Sequence, residues 1–195
     1  MLSRLPGVAI LVSSLLVGSP AVAGKALAQD AGRDPTSIAI TNEEAGKATT
    51  IVADESGAGD RGSYAHRRWL RDRDSEDVGV GPIVTDNRVW VAPDVPTAQA
   101  IFREEVAKQK EFPESEDKHE GPFAFPIAPL AFGDEVMALS ACIENGCDTR
   151  GGINLHERVV VRKGNVVSVV YLFGRERNTT PELTLFFVNR VLERI

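Results

Sequence analysis

The sequence predicts an α+β domain: an antiparallel sheet of about five to seven strands packed by two main helices. Three observations lead there. Two β-rich runs, Leu155 to Arg162 and Val166 to Phe173, flank Lys163-Gly164-Asn165 and give a hairpin signal. Amphipathic helical stretches occupy Asp94 to Lys110 and the C-terminal end. Most connections between the extended runs have turn compositions, too short for the crossovers that parallel strands require.

The chain opens on a leader. Arg4 precedes the apolar block Val8 to Val17, Pro20 breaks it, and small-x-small sites end at Ala23 and Ala28. This is the layout of a secretory signal peptide over residues 1–28, with cleavage expected after Ala23 or Ala28. As a helix the block reaches only ~15 Å, half a bilayer core, so no lasting membrane span is expected. Residues 29–195 then form a single domain. Gln29 to Asp34 is a polar lead-in, and Ser37 to Ile40 reads as a first strand. Thr41-Asn42-Glu43-Glu44 fits a capping box that opens a short helix ending near Gly46.

Extended segments follow at Thr49 to Ala53, Tyr64 to Arg71 and Ile83 to Val91, separated by the Gly-rich Ser56 to Gly62 and the acidic Asp72 to Asp77. In the helix from Asp94 to Lys110, Ala98, Ile101, Phe102 and Val106 recur near a 3.6-residue period. Pro113 to Pro129 reads as a long loop. In the final hairpin a Gly164-Asn165 turn sets Val159 opposite Val170 and Val161 opposite Ser168 on a core face. Arg158, Val160, Arg162, Val167, Val169 and Tyr171 then make a mixed outer surface. The last helix starts at Thr179 or Thr180 with Pro181 in its first turn, and presents Leu185, Val188, Leu192 and Ile195 to the sheet.

Charge and cysteine content bound the function. The leader takes two of the 22 Lys and Arg residues and none of the 28 Asp and Glu, so the mature chain is more acidic than the formal −6 of the whole. That balance argues against a nucleic-acid binder, whose affinity comes from neutralising phosphates. Cys142 and Cys147, around Ile143-Glu144-Asn145-Gly146, are expected to form one disulfide closing a tight turn in an oxidising compartment, contributing roughly 2 kcal/mol. The spacing is not that of a redox pair, and no metal ligand set accompanies the thiols.

Several motifs could carry chemistry. Gly57-Ala58-Gly59-Asp60-Arg61-Gly62 matches a dinucleotide fingerprint, but no amphipathic helix follows, so a Gly-rich hairpin turn is the better reading and no cofactor is expected. Arg67, Arg68, Trp69 and Arg71, with Arg61, His66 and Arg73 nearby, could grip an acidic ligand by bidentate bonds and stacking. The plainer alternative is a solvated strand face paired with Asp72, Asp74, Asp77 or Asp86. Glu114, Glu116, Asp117, His119 and Glu120 lack a cation-binding spacing and read as a solvated loop, so no metal site is expected. No G-x-S-x-G occurs. Asp134 and Glu135, as neighbours on a strand, should point apart. Asn178-Thr179-Thr180 fits a glycosylation sequon. Phe123 to Leu130 reads either as core or as the rim of a groove.

Phe132-Gly133-Asp134-Glu135-Val136, the Arg162-Lys163-Gly164-Asn165 turn within Val159 to Val167, and the closing Val191-Leu192-Glu193-Arg194-Ile195 resemble small exported bacterial domains of the PsbP-like α/β type. The resemblance spans roughly Ile83 to Ile195. It implies an antiparallel sheet between helices and a role in binding or assembly without catalysis. The function expected is therefore that of a secreted, periplasmic or envelope binding domain. It would act as a monomer on a small acidic ligand or an extracytoplasmic protein. The rival is an extracytoplasmic hydrolase using His66 or His156.

Overall fold

A computed structural model of the chain describes residues 32–46, 48–71, 81–110, 123–124, 133–143, 154–175 and 179–195. The leader, Cys147, the Glu114 to Glu120 cluster, His119 and Asn178 lie outside these residues. So does the side chain of Cys142, whose backbone belongs to a strand.

The architecture is α+β. Seven antiparallel strands form one sheet in the order β1-β2-β3-β7-β6-β5-β4. β1 (Thr49–Gly59) and β2 (Gly62–Arg71) make a hairpin, and β3 (Val84–Val91) pairs with β2. α3 (Val95–Lys110) follows β3. The two-residue β4 (Phe123–Ala124), β5 (Glu135–Ile143), β6 (Asn154–Lys163) and β7 (Val166–Arg175) then return as a meander from the far edge. β7 closes the sheet by docking on β3. α1 (Pro35–Ile38), α2 (Asn42–Ala45) and α4 (Pro181–Leu192) complete the chain.

The sheet is covered on both faces. Ile38, Ala39 and Ile40, with Phe187, Val188 and Val191 of α4, pack on Trp69, Val89, Val159, Val161, Val170 and Leu172. On the other face Ala98, Ile101 and Phe102 of α3 pack on Val160, Val167 and Val169. Asn87, fully buried, pins the first layer: its Oδ1 accepts from the Ile40 N–H (2.9 Å) and its Nδ2 donates to Val169 O (2.9 Å).

The glycine run lies in the β1–β2 hairpin, with Gly59 opposite Gly62 and Asp60-Arg61 as its turn. The Gly164-Asn165 turn sets Val159 opposite Val170 and Val161 opposite Ser168, as expected. Asn165 ties that turn to the β3–α3 junction through Ala92 O (2.7 Å).

Four expectations need correction. Ser37 to Ile40 is not a strand, because Asp34 caps and Pro35 opens the short helix α1. Extended pairing in β1 runs on through the glycines to Gly59. The outer face of the final hairpin is not a mixed surface, since α3 buries Val160, Val167 and Val169. α4 packs Val188 and Leu192 on the core as expected, with Ile195 just beyond it, but Thr184, Phe187 and Val191, not Leu185, complete its buried face.

Candidate functional site

The pleat of β2 divides the arginine cluster between the two faces. Trp69 faces the α1/α4 layer and is 1% exposed, its Nε1–H donating to Asn42 Oδ1 (2.9 Å). Arg67 and Arg71 share its face. Arg67 donates to Ile40 O and Asp54 Oδ1 (3.1 Å each), and Arg71 Nε donates to Pro82 O (3.2 Å). Trp69 is thus a core residue with no ring face open to a ligand. Arg67 and Arg71 bind backbone carbonyls of segments flanking the strand.

Arg68 takes the opposite pleat, with His66, and there meets a charged cluster at the edge of the area covered by α3. Its centre is Asp86, whose side chain is 2% exposed. His66 Nε2 lies 2.9 Å from Asp86 Oδ2, Arg88 Nε 3.2 Å from Oδ1, and Arg68 Nε 3.9 Å from Oδ2. Arg88 also approaches Glu105 of α3 (3.7 Å), and Glu105 and Glu104 hold Lys108 at 2.9 and 2.6 Å. Hydrogen bonds to Glu104 and Glu105 hold the Lys108 ammonium above its ordinary pKa.

The strand register extends the row: Arg68 on β2, Asp86 on β3, Tyr171 on β7 and Arg158 on β6 stand side by side. The Arg158 guanidinium lies 5.5 Å from the Tyr171 ring centre and donates to Gln109 O (2.6 Å). The Tyr171 hydroxyl is 2.7 Å from His156 Nδ1, and the His156 ring packs 4.6 Å from Phe173. Burial pushes the Tyr171 hydroxyl up to about 12, against the pull of Arg158 and Arg68, so the phenol stays neutral. Arg68 and Arg158 therefore both act on Tyr171, and Arg88 joins them through Asp86 and by its repulsion of Arg158. A buried carboxylate anchors Arg68 and Arg88, whose side chains remain 45% and 36% exposed. Such forks match carboxylate or phosphate oxygens.

The sequence pointed to Arg68 and, as a partner, Asp86. It did not single out Arg88, Arg158 or Tyr171, which the β3–β7 and β6–β7 registers bring together.

Two further polar clusters stand apart. Asp134 and Glu135 converge on Arg162, contrary to expectation, because Asp134 precedes β5 at a turn where Gly133 has φ +65°. The Ser140 hydroxyl donates to Glu157, which is fully buried on the α4 face. Burial pushes the Glu157 carboxyl up to about 7; the Ser140 hydrogen bond opposes this and the Glu182 charge adds to it. A hydroxyl hydrogen-bonded to a base is the pairing of an activated nucleophile, but Ser140 is itself buried and offers no access to substrate.

Among the described residues no group of three His, Cys, Asp or Glu side chains could hold a metal ion, and no helix is long and apolar enough to cross a membrane. No family model and no curated protein matches the chain. Among solved structures it is similar to the extracellular domain of PknH from Mycobacterium tuberculosis, with a TM-score of 0.53 and 8% identity over 81% of this chain and 92% of that one. At that identity the likeness is one of fold.

Proposed function

We propose that this chain is an exported, monomeric binding domain without catalytic activity, working in the envelope or outside the cell on an acidic ligand. Its ligand surface is formed by Arg68, Arg88 and Arg158 beside Tyr171. The observation that carries this reading is Asp86: one buried carboxylate contacts Arg68, Arg88 and His66 and holds the two part-exposed arginines in place before any ligand arrives. The signal-peptide layout and the PsbP-like pattern of the C-terminal half support export and a binding or assembly role.

Titration calorimetry of the mature protein with citrate and with inorganic phosphate tests it. Binding of at least one anion is expected, weakened about tenfold or more in Arg68→Ala/Arg88→Ala. No binding of either anion, or binding unchanged in the double variant, rejects the surface. A second reading, an extracytoplasmic hydrolase, rests on the His66–Asp86 pair, which has the geometry of an oriented base. It requires p-nitrophenyl ester hydrolysis that disappears in His66→Ala.

A further inference from the structure

Glu157 sits where a carboxylate is hardest to keep. It is 0% exposed, on the β6 face that α4 covers, next to Leu172 of β7 and Ser140 of β5. Oε1 accepts from the Ser140 hydroxyl, while Oε2 has no hydrogen-bond partner among the described residues. The charged group facing it is another acid, Glu182 in the first turn of α4, and among the described residues no cation pairs with it. On its own strand, His156 and Arg158 point to the opposite face. An ionised carboxylate buried with one hydrogen bond and no counter-charge is strongly unfavourable. With α4 shut, the group must be the neutral acid.

Among the described residues, no side-chain hydrogen bond joins the first turn of α4 to the sheet. Thr179, fully buried just ahead of it, rests against Gly174 with its hydroxyl unpartnered. The far end of the chain, by contrast, is tied by Arg194 to Ile38 O, Ala39 O and Glu44.

We propose that Glu157 is a proton-operated latch: as the neutral acid it lets the first turn of α4 close over β6, and on releasing its proton to solvent it drives that turn open. The opened state hydrates the carboxylate and separates it from Glu182. The anion surface lies on the other face of the sheet, so the latch stands or falls independently of the ligand reading.

Hydrogen exchange of the mature protein at pH 5.5 and pH 8, corrected for the intrinsic pH dependence of amide exchange, decides the matter. Amides of Leu183 to Phe187 should exchange at least about tenfold faster at pH 8, while those of β3 and β7 stay unchanged. Glu157→Gln should abolish the acceleration, and the surface change Glu182→Gln should reduce it. Should Glu157→Gln not fold, Glu182→Gln carries the test alone. Equal exchange of α4 at the two pH values overturns the latch, as does an equal acceleration in β3 and β7. Acceleration that persists in Glu157→Gln, or is undiminished in Glu182→Gln, also overturns it.

Discussion

At the scale of single residues, Asp86 and Gly62 show how much one side chain, or its absence, can fix. Asp86 is buried among His66, Arg68 and Arg88. Replacing it with Ala leaves two arginines and a histidine facing one another with no anion between them. Because two of them reach solvent, the loss is smaller than for a sealed ion pair, about 2 kcal/mol by urea unfolding. The same variant should weaken citrate or phosphate binding, since the guanidinium heads lose their anchor. Gly62 has φ +102°, and a Cβ there would lie 2.1 Å from Val91 O. Gly62→Ala should therefore cost at least about 2 kcal/mol of stability, measured as a lowered urea midpoint at unchanged slope. The sequence shows the arginines only as neighbours along the chain. Alternation in β2 separates Arg68 from Arg67, Trp69 and Arg71, and the partners of Arg68 come from strands β3, β6 and β7.

At the scale of elements, local signals were readable wherever the chain makes its own partners. The capping box Thr41-Glu44, the Thr180 cap of α4 and the β6–β7 turn all follow from neighbours in sequence. The helix α1, where alternation predicts a strand at Ser37 to Ile40, has the same origin. Ile38 and Ile40 alternate like a strand, yet the Asp34 carboxylate bonded to the Thr36 N–H, with Pro35 behind it, starts a helix. Burial of the outer face of β6–β7 was hidden because α3, far away in sequence, supplies the cover. A long-range clasp makes a third test possible. Arg194 donates to Ile38 O, Ala39 O and Glu44, joining α4 to the α1–α2 segment. Burial acts to raise the Glu44 carboxyl, but the Arg194 and Thr41 hydrogen bonds outweigh it and hold it below the ordinary range. A depressed carboxylate contributes stability above its unfolded pKa and loses it as pH falls. Arg194→Ala should thus cost about 1–2 kcal/mol at pH 7, and the difference from wild type should narrow below about pH 4.

For the whole molecule, half-buried Glu44 and fully buried Glu157 pull the pH dependence of stability in opposite directions. Glu44, held ionised, favours the fold as pH rises out of the acid range. Glu157, held neutral by burial and raised to about 7, does the reverse. Its contribution is fully present below the unfolded value near 4.5 and is lost as pH climbs through about 7. Between them lies an expected stability maximum near pH 5. A shift of that size corresponds to about 3 kcal/mol between pH 4.5 and 8 if the closed fold must keep Glu157 sealed until it unfolds globally. A latch that opens first caps the loss, because the ionised carboxylate then reaches water within an otherwise folded chain. Urea unfolding of the mature protein across pH 4 to 8 measures the sum. Wild type should lose stability on the alkaline side of the maximum, and Glu157→Gln should remove most of that decline while matching wild type near pH 5. A decline clearly smaller than about 3 kcal/mol, together with faster exchange confined to α4, is the signature of local opening. The full decline with uniform exchange is that of a rigid core residue.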